Sequence, residues 1–134
     1  MMETNKVINE IVSLWDFEKS IELLIAAAEE GNWMIPAIHD LQQSLARAGK
    51  EVRPVKVLEV CKPQYSGKML EKNDERIVSV LMPCRISVYL KEDGKTYISI
   101  INIAALIPGL PESVREVMMA AAEDIDRIVD AVVS

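Results

Sequence analysis

The feature that most constrains the fold is a tight turn between two segments in which apolar and polar residues alternate. The segments are Cys84–Leu90 and residues 96–103, and Glu92-Asp93-Gly94-Lys95 lies between them. Asp-Gly readily supplies the positive φ values that a tight hairpin turn needs. We therefore expect the two segments to pair as antiparallel strands, which disfavours a doubly wound parallel sheet.

The rest of the chain alternates between strand-like and helix-like segments. Apolar residues at helical spacing predict a helix that begins at the N-cap residue Asp16 and ends at Gly31. Residues 7–13 fit either a strand or a leading helical turn, and we favour the strand. Further strands are predicted over 33–38 and 52–60, and further helices over 40–48 and 63–71. This order predicts an α+β domain with a mainly antiparallel sheet of about five strands, and with helices packed on one face.

The C-terminal segment, residues 111–133, predicts a long amphipathic helix. Its apolar residues fall on one face, and the opposite face carries most of the acidic residues of the segment. Around residues 117–122 the apolar belt widens to nearly the whole circumference, which is more than packing on one sheet requires. We expect a second burial partner for this belt. Because closed two-fold dimers are the commonest soluble oligomers, a homodimer fits that expectation.

Length and charge narrow the class of protein. A chain of 134 residues predicts a single domain, residues 1–134. The net charge of −6 argues against a duplex nucleic-acid partner, because phosphate neutralisation needs clustered Lys and Arg. No apolar run reaches the roughly 18 to 20 residues that cross a bilayer, and the first residues lack the order of a secretory signal. We therefore predict a cytoplasmic protein with no membrane partner.

The two cysteines are the main candidates for chemistry. They do not make a disulfide framework, and in a reducing compartment both should stay thiols. Cys61 lies between a strand end and a helix that opens at Pro63, where the helix N-terminus and Lys62 favour a thiolate. Cys84 opens the hairpin strand and would act as a resolving thiol for a nucleophilic Cys61. Alternatively, Cys61 is a small buried apolar residue that closes a strand.

A ligand or metal site is a second hypothesis for the same residues. Thiols at two strand ends can approach one another in a compact sheet, and Met82 and His39 would add donors suited to Cu(I) or Zn(II). No close Cys-x-x-Cys pair marks a zinc site. We favour the alternative that His39 or Asp40 caps the second helix, a role that Asp performs routinely. The candidate ligand-binding residues are His39, Cys61, Lys62, Tyr65, Cys84 and Asn102.

Three segments together resemble the bacterial and archaeal family called domain of unknown function 302. They are Arg-Pro-Val-Lys-Val-Leu-Glu-Val-Cys-Lys-Pro at 53–63, Leu-Met-Pro-Cys-Arg-Ile-Ser-Val-Tyr at 81–89 and Gly-Lys-Thr-Tyr-Ile-Ser at 94–99. The resemblance covers roughly residues 16–103. It implies a curved sheet similar to the TATA-binding-protein-like class and frequent homodimers, but no established reaction.

The resemblance also bears on the candidate site. Family members often have Cys-Asn-Pro where this chain has Cys61-Lys62-Pro63, and Leu-Pro-Cys at Met82-Pro83-Cys84, which implies a shared site for the two thiols. Many members also have a histidine near the position of His39. The C-terminal helix lies outside the resemblance.

Three functional hypotheses follow from these observations. The first is a homodimeric module that binds a small ligand or a soft metal ion in a cleft near Cys61, Cys84 and His39. The second is an enzyme of thiol or sulfur chemistry with Cys61 as nucleophile. The third is a structural partner protein that uses the terminal helix as its contact surface. The sequence identifies no cofactor for any of them.

Overall fold

The computed structural model describes residues 2–4 and 7–133, with side chains from residue 7 onward. It contains one curved antiparallel sheet of six strands in the order β1-β2-β6-β5-β4-β3. The strands are β1 (Met2–Thr4), β2 (Ile8–Val12), β3 (Met34–Asp40), β4 (Val55–Cys61), β5 (Cys84–Leu90) and β6 (Thr96–Ile101). The predicted α+β class is confirmed, and β1 adds a strand beyond the five expected. Pro36 lies on β3 at one edge of the sheet, where a missing N–H is tolerated.

In the described part of the chain, five α-helices connect and cover the strands. They are α1 (Phe17–Glu30), α2 (Leu41–Arg47), α3 (Pro63–Leu70), α4 (Ile103–Leu106) and α5 (Glu112–Asp130). Asp16 caps α1, since its carboxylate accepts a hydrogen bond from the Lys19 backbone N–H at 2.8 Å. Within the described residues, no helix is both long and apolar enough to span a membrane.

The main core lies between one face of the sheet and helices α1 and α5. The strand register aligns apolar residues across the central strands, with Leu58 opposite Ile86 and Ile86 opposite Ile100. These side chains are almost completely buried against the apolar faces of α1 and α5, represented by Leu24 and Ile125. Side chains at intervening positions of each strand point to the opposite face of the sheet, because successive residues alternate between faces.

A second, smaller core explains the wide apolar belt of α5. Val114 and Met118 on α5 are buried against Met69 of α3 and Val78 of the 3-10 helix Asp74–Leu81. Helix α4 and the segment that follows it pack against the same cluster. The chain itself therefore supplies a second burial partner for Val117 and Met118 of the belt, whereas Met119 stays exposed. The homodimer stays a prediction.

Candidate functional site

The structure brings the two thiols to the wall of one small cavity. Cys61 is the last residue of β4 and Cys84 the first residue of β5, and the antiparallel pairing sets Cys84 opposite Val60. Both cysteines line a cavity of about 40 Å³, here called the thiol cavity. Its other lining residues are Trp33, Val60, Lys62, Tyr65, Ser66, Met69, Leu81, Met82, Pro83, Met118 and Ala121. Of the residues singled out from the sequence, Cys61, Lys62, Tyr65, Met82 and Cys84 are thus found together.

The surroundings of the two thiols differ. Burial raises the pKa of the Cys84 thiol, and negative charge on the neighbouring Cys61 raises it further. Cys84 is therefore held in the protonated form near neutral pH. The Cys61 sulfur lies 3.8 Å from the Ser66 hydroxyl, which is within reach of a weak hydrogen bond.

A polar cluster centred on Asp124 adjoins the thiol cavity. The Asp124 side chain on α5 is only 10% exposed. Its Oδ2 accepts hydrogen bonds from the Tyr65 hydroxyl at 3.0 Å, the Lys62 ammonium at 3.3 Å and the Trp33 indole N–H at 3.3 Å. Its Oδ1 accepts a hydrogen bond from Arg127. We call these five residues the Asp124 cluster. Trp33, Lys62 and Tyr65 belong both to this cluster and to the wall of the thiol cavity.

The hydrogen bonds of the cluster determine the charge of its members. Burial alone would raise the pKa of Asp124, but the donors Tyr65 and Lys62 outweigh it and hold the pKa below the ordinary value. Burial and the same hydrogen bond raise the pKa of Tyr65. The cluster is therefore a carboxylate held among neutral and cationic donors.

Sequence reasoning missed Asp124, although the sequence contains a signal for it. The position lies three residues after Ala121 and four before Ile128, and both of those residues are buried. The helical period therefore puts this carboxylate on the apolar face of α5 instead of among the solvated acids. A charged residue at such a position is buried only where partners compensate the charge.

Cys84 also lines a second, larger cavity. It has a volume of about 330 Å³, at the low end of the range of roughly 300 to 1,000 Å³ typical of small-molecule sites. We call it the apolar cavity, because aliphatic and thioether side chains dominate its wall. The lining residues are Asn9, Val80, Leu81, Met82, Pro83, Cys84, Arg85, Ile100, Ile101, Asn102, Ile103, Ala104, Leu106, Met118, Met119, Ala122, Glu123, Ile125 and Asp126. The residues 81–84 and Met118 also line the thiol cavity, so the two cavities are neighbours.

A few polar groups interrupt the apolar wall. The Asn9 side-chain oxygen is buried and has no hydrogen-bond partner among the described residues. Asn102, a candidate from the sequence, also lines this cavity, whereas Asn9 was not identified from the sequence. Glu123 and Asp126 are exposed residues at its rim. An unpaired buried acceptor costs free energy unless something donates to it.

His39 lies apart from the thiols. It is on β3 and pairs with Val57 of β4, and Val57 precedes Cys61 by four residues. Its Nε2 lies 2.7 Å from the Glu59 carboxylate, and Arg85 approaches the same carboxylate at 3.9 Å. The predicted cap of α2 is Asp40, which accepts a hydrogen bond from the Gln43 backbone N–H. The structure therefore separates the imidazole from the two sulfurs.

The positions of the possible metal ligands limit where a metal ion could bind. In the part of the chain that the structure describes, no three side chains of the His, Cys, Asp and Glu types are grouped to hold a metal ion. The soft donors that remain near one another are Cys61, Cys84 and the Met82 thioether, which line the thiol cavity.

Comparison with known proteins agrees with the fold. The family model described as domain of unknown function DUF302 matches residues 9–132, a match that includes α5 as well as the motif-bearing core of residues 16–103. An uncharacterised protein of Aquifex aeolicus (strain VF5) is 29% identical over 119 residues, which are 85% of this chain and 76% of that protein. The crystal structure of an uncharacterised conserved DUF302 protein from Bacillus stearothermophilus superposes with a TM-score of 0.83 at 20% identity. That match covers 93% of this chain and 97% of the other.

Proposed function

The chain belongs to the family described as domain of unknown function DUF302, and we propose that it is a binding module for a small, largely apolar ligand. The ligand would occupy the apolar cavity and contact Cys84 and Asn102, two of the residues selected from the sequence. Cys61, Lys62 and Tyr65 would line the neighbouring thiol cavity without contacting the ligand directly. His39 is not part of this proposal.

The observation that carries the proposal is the apolar cavity itself, a volume of about 330 Å³ lined mainly by aliphatic and thioether side chains together with the amide residues Asn9 and Asn102. A protein interior normally fills such a volume, because voids forfeit dispersion contacts. A ligand with an apolar body would fill this volume, and a hydroxyl on it would hydrogen-bond to the polar side chains of the wall.

A titration with hexan-1-ol tests this proposal, because that molecule has an apolar chain and one hydroxyl donor. We expect amide resonances of residues around the cavity, such as Ile101 and Met119, to shift in NMR spectra as the alcohol is added. Ala104→Phe should fill the cavity and weaken binding by about fivefold or more. Ala105→Phe is the matched control, because Ala105 is the next residue of α4, is equally exposed and does not line the cavity.

The result that would overturn the proposal is specific. If hexan-1-ol shifts no resonances around the cavity, or if both phenylalanine variants bind it like the parent chain, the apolar cavity is not a ligand site. Far-UV circular dichroism of the two variants distinguishes loss of binding from loss of the fold.

Thiol exchange is a second candidate function, and the shared wall of the thiol cavity favours it. In this reaction Cys61 attacks a low-molecular-weight disulfide and releases one thiol. Cys84 then attacks the Cys61 sulfur, which releases the second thiol and leaves a disulfide between the two cysteines. Incubation with oxidised glutathione and mass spectrometry would detect this product as the loss of two hydrogens. In Cys84→Ser a glutathione adduct on Cys61 should persist, and the absence of both this adduct and the disulfide of the parent chain would contradict exchange.

Soft-metal binding is the other form of the binding hypothesis. The nearby sulfurs of Cys61, Cys84 and Met82 support Cu(I) more than harder cations. Elemental analysis of untagged protein loaded with Cu(I) should find about one equivalent, lost in the Cys61→Ser/Cys84→Ser double variant. An equal copper content in both proteins would exclude these thiols as ligands.

Homodimerisation and a cytoplasmic location stay predictions, and sedimentation of the intact chain tests the first.

A further inference from the structure

The 3-10 helix Asp74–Leu81 carries two exposed aliphatic side chains. In a 3-10 helix, side chains three residues apart lie on the same side. Val78 is buried in the second core and Leu81 packs against that core, so this side of the helix anchors it to the domain. Ile77 and Val80 share a different side and are 70% and 84% exposed. We call Ile77 and Val80 the apolar ridge.

The apolar ridge borders the apolar cavity. Val80 belongs to the ridge and also lines the cavity, together with the exposed residues Ile101 and Met119. The surface of the domain therefore presents an apolar protrusion beside an apolar cavity, and packing among the described residues covers neither of them. Adjoining exposed apolar residues of this kind mark sites of protein association.

A protrusion beside a cavity suits a second copy of the chain as the partner. In a two-fold dimer the same surface occurs on both subunits, so that surface must complement itself. A two-fold axis near Val80 sets the apolar ridge of each copy against the apolar cavity of the other, and both contacts form at once. An unrelated partner would have to supply a protrusion and a cavity of its own at the same spacing.

The charges on the two parts of this surface are also complementary. Arg76 immediately precedes the ridge and is exposed, and its guanidinium donates a hydrogen bond to the uncharged Leu70 carbonyl at 2.7 Å. Glu123 and Asp126 are exposed at the rim of the apolar cavity. Arg85, at the same rim, has a carboxylate of its own chain 3.9 Å away. In the two-fold arrangement the Arg76 cation of each copy approaches rim carboxylates of the other, which favours this pairing of surfaces.

From these features we propose that the apolar cavity is a self-association site: two copies of the chain dimerise, and the apolar ridge of each copy inserts into the apolar cavity of the other. The inference goes beyond the proposed function, because it gives the cavity a second occupant, a copy of the same protein. A small apolar ligand and the ridge of the other copy occupy the same space, so each excludes the other. Ligand binding therefore shifts the chain toward the monomer.

Sedimentation equilibrium of the intact chain tests this interface. We expect the parent chain to dimerise and Ile77→Ser to weaken dimerisation by about tenfold or more, because the lost apolar contact occurs twice in the dimer. Leu14→Ser is the matched control and should leave dimerisation unchanged, since Leu14 is 67% exposed and does not line the cavity. A monomeric parent chain, or equal effects of the two serine substitutions, would overturn the proposal.

A mixture of two weakened variants tests whether the ridge inserts into the cavity. Ala104→Phe fills the cavity and should also weaken dimerisation. In a mixed dimer, the Ala104→Phe copy supplies an intact ridge and the Ile77→Ser copy an intact cavity, so one of the two contacts is restored. Fluorescence energy transfer between labelled copies should therefore show tighter association in the equimolar mixture than in either variant alone. Association that is no tighter in the mixture would contradict the insertion, and rescue would show that both variants are folded.

Hexan-1-ol distinguishes this inference from the proposed function. We expect the alcohol to dissociate the parent dimer and to bind Ile77→Ser at least as tightly as it binds the parent chain. If the alcohol binds in the cavity and leaves the dimer intact, the interface lies elsewhere and the ligand site stands. If the mixture shows the rescue but no alcohol binds to Ile77→Ser, the self-association site stands and the ligand proposal fails.

Discussion

The indole Nε1 of Trp33 lies 3.3 Å from the Oδ2 of Asp124, a residue 91 positions further along the chain. This hydrogen bond joins the residue before β3 to the middle of α5, and both side chains are buried. The C-terminal helix is therefore bound into the domain by a buried carboxylate as well as by its apolar face. Because the Asp124 cluster also supplies three side chains to the thiol cavity, its integrity should affect both stability and thiol chemistry.

Asp124→Asn should destabilise the fold. Asparagine has nearly the same shape as aspartate but carries no charge. The Asp124 carboxylate accepts hydrogen bonds from Lys62, Tyr65 and Arg127, and hydrogen bonds to charged groups contribute about 1.5 to 3 kcal/mol each. We expect the free energy of unfolding to fall by about 2 kcal/mol in urea denaturation at neutral pH. Glu116→Gln, on an exposed part of α5, should change it by less than about 0.5 kcal/mol. Equal effects of the two substitutions on the free energy of unfolding would argue against a stabilising role of the Asp124 cluster.

The contribution of Asp124 should depend on pH. Its folded-state pKa lies below the ordinary value of 3.8, so its stabilisation is fully present above that value. The contribution is lost as pH falls through the folded-state pKa. The stability gap between the parent chain and Asp124→Asn should therefore be constant above about pH 5 and shrink below about pH 4. Urea denaturation at a series of pH values measures the gap, and a gap that is the same at about pH 6 and at about pH 3 would contradict the assignment.

The Cys84 thiol should react with alkylating reagents more slowly than a free cysteine does. Burial and the Cys61 charge raise its pKa, so less thiolate is available for alkylation at about pH 8. We expect iodoacetamide to modify Cys84 in the Cys61→Ser variant more slowly than it modifies a free cysteine. The pH profile of that rate should still give a raised pKa for Cys84, because burial is the larger of the two causes. A pKa at or below 9.0 in this variant would show that burial is not the cause.

Asn9→Leu should stabilise the ligand-free protein. Leucine is close to asparagine in shape, and the substitution removes a buried oxygen that has no partner in the described structure. Since an unsatisfied buried polar group costs about 1 to 3 kcal/mol, we expect the free energy of unfolding to rise by about 1 kcal/mol. Asn102→Leu serves as the comparison, and a loss of stability in Asn9→Leu alone would contradict the prediction.

The elements were predictable because their signals are local. Asp16 and Gly31 mark the ends of α1, Pro63 opens α3, and Asp-Gly closes the hairpin at Gly94, whose φ is +79°. Each of these depends on the conformational preferences of a few consecutive residues. The antiparallel class then followed from the hairpin.

The candidate site was only partly predictable, since its members come from segments far apart in the sequence. The thiols approach because β4 and β5 pair with Val60 opposite Cys84. His39 is separated from them because the strand register pairs it with Val57. No local pattern contains that register, and none indicates that the Asn9 oxygen lacks a donor.

The sequence by itself determined the order of the elements, the antiparallel class and the amphipathic character of the C-terminal helix, because these depend on local conformational preference and on hydrophobic period. Only the tertiary structure decided that α5 buries Met118 against α3 and α4, that Asp124 meets Trp33, Lys62 and Tyr65, and that a cavity remains beside Cys84. Those features arise from side-chain volumes and charges that meet across long sequence separations. Packing in three dimensions, and not the order of residues along the chain, sets which groups find partners and which do not.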